Sequence, residues 1–333
     1  MFAASQALVA TNMKKIIAFS TLSQLGYMFV AAGLGAYWVA LFHLATHAFF
    51  KSVLFLGAGN VMHAMNDEIN IKKMGGLFKH MPKTGTIMIL ASIALAGIFP
   101  FAGFFSKDLI LEVAFGTHSY IIWGVLWLTA GMTAFYSFRL IMYIFFGKEK
   151  YHELGYHPHE TYGFVIAAMT PLAILSVVAG WTQTGFVNMV TAVLPPLDIH
   201  VSHDTVWTLI AITTAIVLVG IAFAVFKYKK DESYFGNAMK DRFCYKLLAN
   251  QYYMPHFFEN VVLKPYLAMS RFSWREIDLK IVDTIVDAIA KSIYNTGSEG
   301  RVIQTRNLST ALRWMAFGLL LLIILAILLV SYK

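Results

Sequence analysis

The sequence predicts an all-α polytopic membrane protein, with about seven transmembrane helices, one of them discontinuous, and a long amphipathic helix beside them. Three observations predict it. Hydrophobic residues make up 58% of the 333 positions and charged residues only 13%, a balance that suits lipid better than a soluble core. The apolar residues gather into stretches long enough to cross a bilayer. The basic residues are sorted by loop: of 26 Lys and Arg, all fall at one end of these stretches except Lys51, Lys107, Arg139, Arg313 and the final Lys333.

Met1–Ala10 is apolar but lacks a basic start and runs straight into Asn12-Met13-Lys14-Lys15, so no cleavable signal peptide is expected. Hydropathy then places spans at Ile16–Leu34, Trp38–Met62, Thr84–Gly116, Tyr120–Phe146, Thr161–Trp181, Thr205–Phe226 and Leu308–Ser331. Followed alternately, they send Lys14, Lys15, Lys72, Lys73, Lys79, Lys83, Lys148, Lys150 and the long segment Lys227–Arg306 to one side. Connections on the other side, near Gly35–Tyr37, Gly116–Ser119 and Thr182–Asp204, carry no Lys or Arg. The positive-inside bias makes the first side cytoplasmic and puts the C-terminus outside a cytoplasmic (inner) membrane. Arg139 and Arg313 lie within two turns of the basic side and can snorkel to it. A net charge of +8 distributed in this way points to membrane topology rather than nucleic acid.

Three segments follow: a transmembrane bundle at 1–226, a cytoplasmic-side segment at 227–307 and a C-terminal anchor at 308–333. The middle segment carries Ile277, Ile281, Ile285, Ile289 and Ile293 as an i, i+4 stripe, with Glu276, Lys280, Asp283, Asp287 and Lys291 on another face. That pattern is an amphipathic helix at a membrane interface. Pro265 marks its expected start or kink, and Tyr252, Tyr253, Phe257, Phe258, Phe272 and Trp274 suit an aromatic interface layer or packing against partners.

Lys51 and Lys107 sit deep in the apolar spans, where a protonatable group costs several kcal/mol unless it pairs, hydrates or titrates. His43, His47 and Lys51 repeat at i, i+4 and i+8, an arc of about 80° along roughly 12 Å of helix. This constellation fits a chain of proton-exchanging groups, histidines bonded to neighbouring helices, or metal binding, which lacks a carboxylate or thiol here. The third span is interrupted at Gly97-Ile98-Phe99-Pro100-Phe101-Ala102-Gly103. Pro100 frees carbonyls at mid-membrane, Ser106 is placed to cap a second half-helix with Asp108 in its first turn, and Lys107 can face the end of the first half. A broken helix with an ionisable residue at the gap is the pattern of ion-coupled transporters; a simple kink with Lys107 and Asp108 neutralising each other is the alternative.

His152, His157, His159 and Glu160, like Asp67 and Glu68, read as solvated loop residues. The single cysteine, Cys244, offers no disulfide or cluster ligation. Glycine-rich phosphate loops, flavin motifs and nucleophile triads are not evident, so no redox or hydrolytic step is expected of this chain.

The runs Lys14–Met28, Phe42–Lys51, Lys73–Leu77 and Ala102–Asp108 closely resemble the antiporter-like subunit L family (chain 5 in mitochondria) of proton-pumping NADH–quinone oxidoreductase, respiratory complex I, and weaker similarity continues to Lys333. The resemblance implies a proton-translocating membrane subunit in which His43, His47 and Lys51 form a central-axis relay. It makes Lys14 a basic group near the cytoplasmic end of the preceding helix, and Lys107 with Asp108 the exit-side group. It further implies a lateral amphipathic helix running beside neighbouring subunits, other membrane-arm subunits as partners, and flavin, iron–sulfur clusters and quinone in those partners, with no cofactor or metal held here. The chain departs from the family at Asn12-Met13-Lys14-Lys15, where Asp-Ile-Lys-Arg is usual, and at Phe99-Pro100, where two prolines are usual. Family members are about twice as long, so the chain is expected to correspond to the C-terminal half, beginning in the second inverted repeat; a split gene, a fragment and a partner-supplied first half all fit. A Mrp-type cation/proton antiporter subunit and a purely structural scaffold are the competing classes.

Overall fold

The computed structural model describes residues 1–195, 201–230, 242–301 and 307–331. Lys333, Arg306 and the 231–241 part of the cytoplasmic-side segment lie outside the described residues. The chain divides into a unit from Met1 to Tyr252 and a second from Tyr253 to Lys333.

The first unit opens with a short helix, α1 (Phe2–Val9), and then α2 (Met13–Gly33), capped by Asn12, whose side chain accepts from the amide of Lys15 at 3.1 Å. An antiparallel α3 (Tyr37–Ala64) follows as one continuous helix, about 42 Å long and able to cross a bilayer with some tilt. The third expected span is two short helices, α4 (Pro82–Ala96) and α5 (Ala102–Gly116). Next come α6 (Tyr120–Ile141), prolonged by a π-helical turn Met142–Phe146, then α7 (Gly163–Val178), which runs through a 3₁₀ turn into α8 (Gln183–Thr191), and α9 (His203–Lys230). Six described helices, including Leu308–Ser331 in the second unit, are long and apolar enough to span a membrane, and Pro82–Ala96 is a shorter apolar one. With the broken α4–α5 pair counted as one crossing, the architecture is the all-α polytopic fold the sequence predicts.

Small residues set the helix spacing, as expected where lipid supplies no hydrophobic drive to associate. A Cβ at Gly57 of α3 would strike Met88 of α4, and one at Gly220 of α9 would lie 2.7 Å from the carbonyl oxygen of Gly131 in α6. The main core joins α1 to α4, α6 and α7 around Met13, Phe50, Met88 and Tyr136. A second cluster around Tyr27, Val39, Ile110 and Leu126 closes the opposite end.

The break is built mainly by glycine. Gly97 ends α4 in the left-handed conformation (φ 86°), its amide bonding back to Ile93 and Ala94. At Gly103 an added Cβ would fall 1.8 Å from the carbonyl oxygen of Ala94, so only glycine lets α5 abut the end of α4. Phe101 precedes α5 and no side chain caps it. Ser106 therefore does not cap the half-helix: it lies one turn inside, its hydroxyl 3.2 Å from the carbonyl of Ala102.

The loops at the basic end are more structured than their composition suggests. Glu160 accepts from the Lys83 amide at 2.9 Å and the Thr84 hydroxyl at 2.6 Å, so it caps α4 across the loop instead of being merely solvated. Glu68 pairs with Lys73 at 2.6 Å and accepts from the amides of Ile69 and Asn70, fixing a strand-like contact between Asn12 and Asn70. Arg139 does not snorkel to water. It is 4% exposed and donates to the carbonyls of Ala7 and Ala10. Tyr252 stacks on Phe2 and shares a hydrogen bond with Ser5, which makes it a packing residue of the first unit.

In the second unit, residues 254–300 are helical throughout, alternating α segments with π-helical turns at Glu259–Leu263 and Ser273–Val282. The run starts at Met254 with Pro255 in its first turn; Pro265 starts only the α segment Lys264–Phe272 within it, directly after a π-helical turn that accommodates the missing donor. All five isoleucines of the stripe are exposed in this chain.

Gly103→Ala should lower the thermal midpoint in detergent by the equivalent of about 1–3 kcal/mol, the usual cost of overpacking, while Gly124→Ala in the open face of α6 should not. Equal midpoints for both variants would show that the junction relaxes freely. A second outcome concerns pH. The Lys73 ammonium, with the amides of Asn70 and Ile69, holds the Glu68 carboxyl below its ordinary 4.5. Because the folded value is the lower one, the stability it contributes is present above pH 4.5 and lost as pH falls through the folded value. Glu68→Gln should thus be less stable than the parent protein at neutral pH and indistinguishable from it under acid; a constant difference across that range would exclude this linkage.

Candidate functional site

The continuous α3 carries His43, His47 and Lys51 on one inward face, and all three are buried. Around them α2 contributes Ser20 and Gln24, α5 contributes Ser106 and Lys107, and α6 contributes Thr133 and Tyr136. Two of the six sequence-derived residues stand apart in character. Lys14 is exposed in the first turn of α2, outside the buried line. Asp108 belongs to the next cavity along α5.

His43 is the best-connected group. Its Nε2 lies 3.0 Å from Gln24 Oε1 and its Nδ1 lies 2.9 Å from Ser106 Oγ. Since the Gln24 oxygen only accepts, Nε2 carries the hydrogen and Nδ1 accepts from the Ser106 hydroxyl. Thr46 donates to Ser106 at 2.8 Å, completing a bond chain from α2 through α3 to α5. Ser106 has a second acceptor, the Ala102 carbonyl at 3.2 Å. If Nδ1 takes up a proton, the hydroxyl can turn to Ala102 and accept from the ring instead. His47 lies one turn away, its ring centroid 6.1 Å from that of His43 and edge-on to Phe50, and its Nε2 has no hydrogen-bond partner among the described residues.

Among the described residues no carboxylate pairs with Lys51. Its Nζ donates to the carbonyl of Ile17 at 3.3 Å and borders a cavity of about 10 Å³ shared with Ser20, Ser92, Tyr136 and Ser137. The hydroxyls of Ser92 and Ser137 find no protein partner, and the space is that of one water molecule with several polar neighbours. Tyr136 donates to Ser20 at 2.7 Å and reaches Thr133 at 3.4 Å, which continues the polar track beside Lys51.

Lys107 occupies the break. Its Nζ donates to the carbonyl of Ala96, the last residue of α4, at 3.4 Å, and stands 5.6 Å from the Tyr27 ring. A cation at a helix C-terminus is favourable, as the sequence suggests, and the aromatic face adds to it. Lys107 and Asp108 do not form an ion pair. Both carboxylate oxygens of Asp108 are buried without a hydrogen-bond partner and border a cavity of about 130 Å³ lined also by Glu112, Gln183 and Thr213.

Sequence reasoning missed Ser20, Gln24, Tyr136 and Glu112. The first two had a signal: Ser20, Gln24 and Tyr27 recur at i, i+4 and i+7, a polar stripe on an apolar helix. Glu112 likewise follows Asp108 by four residues. Tyr136 had none, because its partner lies on α2.

Known proteins resemble this chain along most of its sequence. Residues 1–133 match the family model described as NADH:quinone oxidoreductase/Mrp antiporter, TM, and residues 136–328 match NADH dehydrogenase subunit 5 C-terminus. NADH-quinone oxidoreductase subunit L of Campylobacter jejuni is 46% identical over 325 residues, spanning 98% of this chain and 52% of that protein. NADH-ubiquinone oxidoreductase chain 5 of Schizophyllum commune is 35% identical over 96% of this chain and 49% of its own length. The chain thus spans about half the length of these curated relatives. Among solved structures, a chain of the Mrp complex from Dietzia sp. DQ12-45-1b superimposes with a TM-score of 0.56 at 20% identity, covering 98% of this chain and 32% of that one, a likeness of fold. Matched along nearly its whole length by these two models and by relatives well above the level of chance, the chain belongs to the subunit L/chain 5 family of NADH:quinone oxidoreductase.

Proposed function

We propose that the chain translocates protons as a membrane subunit of an NADH–quinone oxidoreductase, with electron transfer taking place in partner subunits that hold flavin, iron–sulfur clusters and quinone. The observation that carries the proposal is the buried line from Lys51 to Lys107, in which two ammonium groups rest on backbone carbonyls and a doubly hydrogen-bonded histidine links the helices between them. An ammonium compensated only by carbonyls and water gives up a proton far more readily than one fixed to a carboxylate. Lys51 is the central donor and acceptor, and His47 and His43 pass the proton along α3. Ser106 connects His43 to α5 by turning its hydroxyl between two acceptors, and Lys107 hands the proton to Asp108, whose cavity with Glu112 leads onward along α5. Lys14 collects charge at the other end. Energy arrives from the redox partners by conformational or electrostatic coupling. The basic loops and the long amphipathic helix face the cytoplasm, in keeping with the sorting of Lys and Arg.

Lys51→Met in the assembled enzyme should lower protons pumped per NADH oxidised in inverted membrane vesicles, read by a pH-sensitive dye, while much of the oxidase activity persists. Ser106→Ala should lower the same ratio with a stability loss of only about 1 kcal/mol. Full pumping per electron in both variants would refute the relay. Pumping that depends on sodium, with no response to NADH, would move the assignment to a cation/proton antiporter, the other function named by the first family model.

Sidedness has a simple reporter. Cys244 is the sole cysteine and is exposed, so a membrane-impermeant maleimide should label it in inverted vesicles and spare it in intact cells. The reverse pattern would overturn the orientation.

A further inference from the structure

A cavity of about 500 Å³ in the first unit lies against α6 and α9, away from the Lys51–Lys107 line. Its lining is graded along α6. Leu128 and Ile216 border one end; Arg139, Tyr143, Tyr228 and Lys72 border the other, where the basic loops gather. From Leu128 to Tyr143 is about 22 Å of helix. One leaflet with its headgroup layer is about as thick, half of the 40–45 Å of a whole bilayer.

The charged end holds a cation bonded by neutral groups. Arg139 is buried, donates to the neutral carbonyls of Ala7 and Ala10 and to the neutral Tyr228 hydroxyl, and lies over the rings of Tyr143 and Tyr228 at 5.4 and 5.9 Å. Among the described residues no carboxylate forms an ion pair with it. A guanidinium at membrane depth without a counter-ion is costly, and its planar fork matches a phosphate. Lys72 supplies a second positive charge at the same end. The remaining wall is apolar and faces outward, with Val219 66% and Phe223 50% exposed. A hydrocarbon chain is slim enough to fit.

We propose that this cavity is a binding site for one anionic phospholipid of the leaflet on the basic side, its phosphate held by Arg139 and Lys72 and an acyl chain lying along Phe135, Val219 and Phe223. The site is independent of the proton relay. Its charged end selects the headgroup, and its apolar wall excludes soluble phosphates.

The purified assembly, delipidated and returned to vesicles containing spin-labelled phosphatidylglycerol or phosphatidylcholine, provides the test. The parent protein should immobilise roughly one phosphatidylglycerol per chain beyond the general boundary layer, with a preference over phosphatidylcholine of roughly fivefold for each basic residue, the equivalent of about 1 kcal/mol each. Val219→Trp, which fills the outward-facing wall, should remove that component for both lipids. Lys72→Gln should reduce the headgroup preference roughly fivefold and leave retention of the chain. Arg139→Gln should do the same; because Arg139 also tethers α1, a melt accompanies it, and Lys72→Gln decides the matter if that variant unfolds. Equal immobilisation of the two lipids by the parent protein, an unchanged component in Val219→Trp, or displacement of the lipid by inorganic phosphate would overturn the site. So would a cross-link from Val219→Cys to a neighbouring protein chain in place of lipid.

Discussion

A positive charge inside a hydrocarbon slab must be answered by something other than bulk water, and in this bundle the answer is the backbone. Lys51 leans on the carbonyl of Ile17, Lys107 on that of Ala96, and Arg139 on those of Ala7 and Ala10. Spare carbonyls exist at mid-membrane only where a helix stops or a side chain reaches a bifurcated acceptor. The interruption between α4 and α5 therefore does more than bend the chain: it manufactures the acceptor that Lys107 occupies. Neutral dipoles stabilise an ammonium without locking it, whereas a carboxylate neighbour would hold the proton in place.

That requirement propagates into the packing. For Lys107 to reach Ala96, α5 must start almost against the end of α4, which is why Gly103 faces Ala94 and Gly97 turns left-handed. For His43 to touch both Gln24 and Ser106, α3 must lie between α2 and α5 at close range. Polar contacts and small-residue packing thus specify the same geometry. The Tyr136–Ser20 bond and the serines around Lys51 extend the line toward α6, so a track some half a membrane long needs four helices to build.

Much of this was legible in the residues. The spans, the break at Gly97–Gly103, and the shared face of His43, His47 and Lys51 follow from hydropathy and helical spacing, which are local properties. What eluded the sequence depends on partners distant along the chain. Ser106 reads as a cap because it follows a proline-containing break, but α5 begins a turn earlier, at Ala102, and the serine is left to bond His43. Glu160 and Glu68 read as solvated loop residues because nothing local reveals that one caps α4 from 76 positions away and the other pins a loop to Asn12 and its neighbours. Arg139 reads as a snorkelling residue, yet α1 covers its route to water and offers carbonyls instead. Tyr136 had no detectable signal at all.

The π-helical turns in the long amphipathic helix solve a problem of register. In a uniform α-helix, residues four apart overshoot a full turn by about 40° each step, so five isoleucines spaced by four would wind around the cylinder like a barber's stripe. A π turn is wider and takes more than four residues to close, so the same spacing falls short of a full turn. Ile277 and Ile281 lie in the π-helical stretch Ser273–Val282, while Ile285, Ile289 and Ile293 lie in the α-helix Asp283–Gly300. The drift in one part is partly taken back in the other, so the isoleucines wind less than they would on a uniform α-helix. A rod whose apolar stripe winds so slowly can keep that stripe against a level surface over more of its length.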